Sequence, residues 1–179
     1  MRAIPITITA VAAALVLTAC DSGGSGSSSG SDTGSKNTDS TACRIGEVGV
    51  QVGPANAAPG AGDTGNIPVV ITNNGARCTV QGFPAVSLSS SSASATVPTD
   101  RTSTPQKLTL AKGDTASFTL TYVRGKEGDA KSLGARTLRL ALPGADGSKS
   151  FTWSYGPVQG KKDATDVDAS VTAIQQAGD

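Results

Sequence analysis

Three cysteines, Cys20, Cys43 and Cys78, are the residues of this chain with the most chemistry open to them. A thiol serves as nucleophile, metal ligand, lipid acceptor or half of a disulfide, and its surroundings divide those roles. Cys20 closes Leu17-Thr18-Ala19-Cys20, small residues that follow an uncharged apolar run from Ile4 to Leu17, with Arg2 alone in front. This is the layout of an export leader that is acylated and cut at a lipobox. Residues 1–19 therefore read as a lipoprotein signal peptide and Cys20 as the lipidation site. At helical rise the segment from Ile4 to Ala19 extends about 24 Å, short of a hydrocarbon core of about 30 Å, which favours a leader over a membrane span. In an exported chain the two remaining cysteines, Cys43 and Cys78, read as one disulfide. Closing that loop is worth about 3.8 kcal/mol in the chain-entropy treatment, and a paired sulfur is no nucleophile.

Histidine is absent, which excludes Ser-His-Asp and Cys-His catalysis and every histidine-ligated metal. Carboxylates come next. Asp32-Thr33-Gly34 and Asp63-Thr64-Gly65 both spell the aspartic-protease tripeptide. That chemistry needs two carboxylates about 3 Å apart, each on a loop after an apolar strand. One copy lies in a Gly/Ser tract and the other precedes its apolar run, so chance in a chain rich in these residues explains them. Asp163, Asp166 and Asp168 lack the glycine turn and closing glutamate of a calcium loop. No metal and no cofactor is expected. The serines from Ser87 to Ser94 have no base to activate them and read as a polar strand edge and loop. Phe151, Trp153 and Tyr155 alternate with Thr152, Ser154 and Gly156, and on one strand face they would make a candidate ligand platform for sugar rings or a partner protein. Core packing is the favoured reading, since the chain holds only three Phe, two Tyr and one Trp, and Phe118 and Tyr122 alternate in the same way.

Charge narrows the partners. Fifteen basic residues fall to fourteen once Arg2 leaves with the leader, against fourteen acidic ones. The longest basic run is Lys161-Lys162, so the electrostatic footprint of nucleic-acid binding is missing. Contact with the membrane is expected through the N-terminal lipid, where each buried CH₂ contributes about 0.8 kcal/mol and two or more chains give a lasting anchor.

These candidates need elements to hold them. Residues 20–42 hold, between Cys20 and Ala42, only Ser, Gly, Thr, Asp, Asn and Lys, with no large apolar anchor, the composition of a flexible tether behind the lipidated cysteine. Residues 43–179 are long enough for one core, and their pattern has period two. Apolar and hydroxyl residues alternate from Ala116 to Tyr122; Leu138, Leu140 and Leu142 alternate with Thr137, Arg139 and Ala141; Val167 to Ala173 does the same. Further strands are expected at Ile45–Val52, Ile67–Thr72, Val86–Leu88, Ala95–Val97 and Lys107–Leu110. The continuous apolar run after Pro68 reads as buried on both faces, and Thr172–Ala177 as able to form a helical turn. Turns fall at Asn73-Asn74-Gly75, Lys112-Gly113-Asp114, Pro143-Gly144 and Asp146-Gly147. The expected fold is all-β: an antiparallel Ig-like β-sandwich of about eight strands with one disulfide.

A set of residues within that pattern has the look of a family. It runs through Cys43-Arg44, Val52-Gly53-Pro54, Ile67 to Gly75, Cys78, Gly82-Phe83-Pro84, Leu110-Ala111-Lys112-Gly113-Asp114-Thr115-Ala116 and Leu142-Pro143-Gly144. The chain resembles the secreted and lipid-anchored actinobacterial proteins grouped as domain of unknown function 4232. Their recurring pattern is an apolar strand ending T-N-x-G, a nearby cysteine, a G-[FY]-P turn and a later L-x-x-G-x-x-A. Members often carry a second cysteine pair, which this chain lacks. The resemblance implies a sandwich-like exported domain and supplies neither an activity nor catalytic residues. The expected protein is a non-catalytic lipoprotein on the outer face of the cell membrane, secreted if the lipobox is not used. Its expected partner is a cell-envelope glycan or another surface protein. The alternative is a glycan hydrolase working with carboxylates alone, which needs two of them about 5–9.5 Å apart in a cleft.

Overall fold

The computed structural model describes residues 41–56 and 59–177. The leader at 1–19, Cys20, the tether up to residue 40 and the Asp32-Thr33-Gly34 copy lie outside the described residues. What is described is all-β. Thirteen strands follow in chain order: β1 Val48–Val52, β2 Thr64–Asn73, β3 Cys78–Gln81, β4 Ala85–Ser89, β5 Ser94–Val97, β6 Lys107–Leu110 and β7 Thr115–Val123. Then come β8 Ser132–Leu133, β9 Thr137–Ala141, β10 Lys149–Thr152, β11 Val158–Gln159, β12 Ala169–Val171 and β13 Gln175–Gln176.

The strands pair antiparallel throughout. One sheet runs β1-β2-β7-β12, with β13 also on β7; a second runs β10-β9-β4-β5; β3-β6 and β8-β11 are small pairs. Alternating burial on β7, with Ala116, Phe118, Leu120 and Tyr122 inward, turns one face of the first sheet toward the core. Leu138 and Leu140 of β9 and Val86 and Leu88 of β4 do the same for the second sheet, and all of them join one cluster of buried side chains. Both margins are tied as well. Lys149 Nζ on β10 donates to the Val48 carbonyl of β1 at 3.0 Å, and just beyond β5 the Asp100 N–H donates to the Val171 carbonyl of β12 at 2.8 Å. Two faces meeting over one apolar layer is the arrangement of a β-sandwich. The order β1-β2-β7 over β10-β9-β4-β5 parallels strands A-B-E and G-F-C-C′ of an immunoglobulin domain. The parallel stops at that order, because β12 arrives beside β7 from the far end of the chain and the β3–β6 pair has no counterpart.

The longest strand corrects one expectation. β2 is buried on one face only: Ile67, Val69 and Ile71 point in, while Pro68 is exposed and Val70 half-buried. Pro68 also sits in a strand flanked on both sides, where a missing N–H is usually excluded. Its carbonyl faces β1, where the Gly53 N–H meets it at 2.8 Å. Its nitrogen therefore faces that same side, just past Val52, the last residue of β1, and the β7 ladder is untouched.

The C-terminal segment differs from its pattern too. Of the strand expected from Val167 to Ala173 only Ala169–Val171 forms, and Thr172–Ala177 makes no helical turn. Ala173 and Ile174 are fully buried, the Ile174 N–H donates to the Gly82 carbonyl at 3.0 Å, and Gln175–Gln176 then returns to pair with Ser117 and Ala116 of β7. Long-range pairing with β7 overrides the local preference. β10 likewise ends at Thr152, so Trp153 and Tyr155 stand in the turn that follows it and not on a strand face.

Candidate functional site

Tyr122 is the last inward residue of β7, and directly opposite it on β2 stands Gly65. The pairing is steric: a Cβ on Gly65 would lie 2.5 Å from Tyr122 Cε1, so only glycine lets the ring lie across the neighbouring backbone. The ring meets Trp153 edge-on at 5.2 Å between centroids, and Trp153 meets Tyr155 at 4.8 Å. Edge-to-face contacts at these distances are attractive beyond their buried area. Each polar head is held inside the protein. Tyr122 Oη donates to the Tyr155 carbonyl at 3.0 Å, Trp153 Nε1 to the Gly156 carbonyl at 2.6 Å, and Tyr155 Oη to the Gly53 carbonyl at 2.6 Å. Burial holds the Tyr122 and Tyr155 phenols above their ordinary pKa; for Tyr122 the nearby Arg124 charge opposes that shift.

The three aromatics singled out from the sequence are therefore not one flat exposed face. Trp153 is 4% exposed, Phe151 is half-buried opposite Leu138 of β9, and the Trp153 and Tyr155 rings stand 69° apart. Trp153 reaches a shallow cleft beside Glu127 and Arg136, and Tyr155 lines a second one. That cleft, about 340 Å³, has Val52, Pro54, Ala55 and Pro59 as apolar wall, the Tyr122 and Tyr155 rings as floor, and Ser154 at its exposed rim.

Arg124 supplies its charge. It follows β7 by one residue and sits two beyond Tyr122, so it keeps the inward parity of the strand while remaining half-buried. Its backbone is fixed by two bonds, Arg124 N–H to the Asp63 carbonyl at 2.9 Å and Gly62 N–H to the Arg124 carbonyl at 2.8 Å. Its guanidinium lies against Gly156, where φ is +82° and an added Cβ would come within 2.9 Å of Nε. Nη1 donates to the Pro59 carbonyl at 3.0 Å, and no carboxylate forms an ion pair with it among the described residues. Sequence reading missed this residue. The signal was present: a cation at the inward parity position just past a core tyrosine needs a reason to be there.

At the other end of β2 stands Asn73, the one amide or charged side chain that is buried among the described residues. Its Nδ2 donates to the carbonyls of Ala76, Leu110 and Ala111 at 2.8, 3.0 and 3.2 Å, and its Oδ1 accepts the Gly75 N–H at 3.0 Å. Its backbone joins the β6–β7 turn, with Asn73 N–H to the Asp114 carbonyl at 2.9 Å and Gly113 N–H to the Asn73 carbonyl at 2.7 Å. One residue thus clamps the Thr72-Asn73-Asn74-Gly75 turn onto the Leu110-to-Asp114 turn. Beside it Cys43 and Cys78 form the expected disulfide, with Cα atoms 4.9 Å apart, and the Cys43 N–H donates to the Thr79 carbonyl at 2.9 Å. The motifs that are distant in sequence are one packed unit in space. A family profile described as "Domain of unknown function (DUF4232)" matches residues 43–175.

The chain belongs to this family. The DUF4232 match covers the whole sandwich from the disulfide to β13. Comparison with curated proteins and with solved structures gives no significant match. The other acidic candidates are placed as follows. Asp63 is exposed and accepts the Gly60 N–H at 2.9 Å. Asp163 closes a turn on the Thr165 N–H and hydroxyl at 2.8 and 2.6 Å, bonds that lower its pKa, and Asp168 pairs with Lys161 at 3.8 Å. No group of three potential metal ligands gathers among the described residues. Glu127 and Asp129 each line a separate shallow cleft without a second carboxylate.

Proposed function

We propose that this DUF4232 protein is a non-catalytic, lipid-anchored module on the outer face of the cell membrane. It binds a cell-envelope component in the cleft beside Arg124. The observation that carries the binding reading is the guanidinium itself: a half-buried cation inside a cleft, with one protein hydrogen bond and no acidic partner among the described residues. A partly desolvated charge with no counter-ion and donors to spare favours an anion that enters beside it. The lipobox at Cys20 and the tether of residues 20–42 support the location. A carboxylate-dependent hydrolase draws no support from clefts that hold at most one acidic side chain each.

Two measurements test this. Cys20→Ala should move the protein from the membrane fraction into the medium, and the intact mass of the unaltered protein should show acyl chains on Cys20. For binding, Trp153 is the only tryptophan and touches Tyr155 of the cleft floor, so its emission reports on occupancy. Titration with solubilised envelope fragments should shift that emission saturably. A full-length protein that neither shifts nor is retained by envelope material is not a binding module.

A further inference from the structure

We infer that the Arg124 cleft takes the free α-carboxylate of a short peptide with small apolar side chains; this rests on the binding reading above. The charge inventory selects the anion. Among the described residues the cleft lining holds one cation and no acid, which matches a monoanion; a phosphate dianion calls for more positive charge than one guanidinium gives. A guanidinium carries five donors in a planar fork suited to the two oxygens of a carboxylate, and here one bond, from Nη1 to the Pro59 carbonyl, is made within the protein. That bond and the packing of Nε, Cζ and Nη2 against Gly156 fix the plane of the group, so little side-chain freedom is lost on binding.

The walls select the rest of the ligand. Val52, Pro54, Ala55 and Pro59 offer methyl and methylene surface, which suits an alanine-sized side chain and leaves sugar hydroxyls without partners. The two phenol hydroxyls are already spent on backbone carbonyls and Tyr122 is 1% exposed, so the half-buried Tyr155 ring is left as an apolar floor with no hydroxyl free to meet a sugar. The Ser154 hydroxyl at the rim is the one further side-chain group placed to meet a peptide N–H or carbonyl. A volume of about 340 Å³ is at the low end for small-ligand sites and suits one or two small residues.

The test uses the full chain in detergent, with Trp153 emission and the Arg124 Nε–H resonance as readouts. The probes are N-acetyl-alanyl-alanine, the same dipeptide as its C-terminal amide, glucuronic acid and inorganic phosphate. The acid should bind saturably, the amide at least about tenfold more weakly, and Arg124→Gln should remove the preference for the acid over the amide. Equal binding of acid and amide overturns the carboxylate assignment while leaving a ligand cleft in place. Tighter binding of glucuronic acid overturns the peptide assignment, and tighter binding of phosphate overturns the monoanion argument. No response to any probe overturns the inference, and the envelope titration then stands or falls by itself. Should Arg124→Gln fail to fold, the acid and amide on the unaltered chain decide the matter.

Discussion

The two ends of β2 use polar groups in opposite ways. At Asn73 the side-chain donors and acceptor, together with the backbone N–H and carbonyl, are all consumed inside the protein. At Gly65 the tyrosine and tryptophan heads are consumed too, but the chain then adds Arg124, whose guanidinium makes one internal bond beside an open cleft. A closed polar network holds turns together and has nothing left to offer a partner. An open one leaves donors that only a ligand or water can meet. The first end is architecture, and the second is where recognition has its means.

Breaking the closed end should have the largest effect. Asn73→Ala leaves the Leu110 carbonyl without its buried donor, weakens the hold on Ala76, Ala111 and Gly75, and opens a small void. A loss of about 3 kcal/mol is expected, combining an unsatisfied buried group with lost packing. Urea unfolding of the oxidised protein measures it. A loss under about 0.5 kcal/mol would mean that the two turns hold without their clamp, and the contrast between the ends would disappear.

Gly65→Ala comes next. The added methyl meets the Tyr122 ring at the distance where something must shift, and the ring is held by Trp153 and by its bond to the Tyr155 carbonyl. Overpacking of this kind costs about 1–3 kcal/mol. Because Tyr122 and Tyr155 both line the cleft, near-ultraviolet circular dichroism should change along with stability. A change in stability with an unaltered aromatic spectrum would show that the strain is absorbed elsewhere.

How much of this was readable beforehand depends on the range of the forces involved. Alternation along Ala116–Tyr122 and Lys107–Leu110 marked β7 and β6 almost to the residue, because one buried face imposes period two on the chain itself. The disulfide was legible by elimination among three cysteines. Ala173 and Ile174 were misread because their conformation is set by Gly82 and β7, partners far along the chain. The aromatic trio read first as core, and Trp153 is buried; what the pattern did not show is that β10 ends at Thr152 and leaves Trp153 and Tyr155 in the turn beyond it. Arg124 carried the one clue that went unused, inward parity. The cleft around it comes from the Val52–Ala55 segment and Pro59, whose approach to β7 no local pattern encodes.

Raising the pH sharpens the aromatic end further. Burial raises the Tyr122 and Tyr155 phenols above the unfolded value of about 10, so the neutral forms are favoured in the folded state. The sign follows from linkage. Their contribution is fully present below about pH 10 and is lost as pH rises through the higher folded values, because the unfolded chain gives up those protons first. Melting temperatures should therefore be level through neutral pH and fall in the strongly alkaline range. Tyr122→Phe should lessen that fall, and an unchanged slope would remove Tyr122 as a source of it.

The smallest expected effect is the most informative. Arg124→Gln removes a charge that has no acidic partner among the described residues, together with one hydrogen bond to the Pro59 carbonyl. A side chain that holds turns together should be missed as Asn73 is. One retained for a ligand should be missed little in the ligand's absence, and losing an unpaired half-buried cation offsets the lost bond. Stability is therefore expected to stay within about 0.5 kcal/mol of the unaltered protein. The same substitution should abolish the Trp153 response to the carboxylate probe. A loss approaching that of Asn73→Ala would place Arg124 with the architecture, and both ends of β2 would then be built alike.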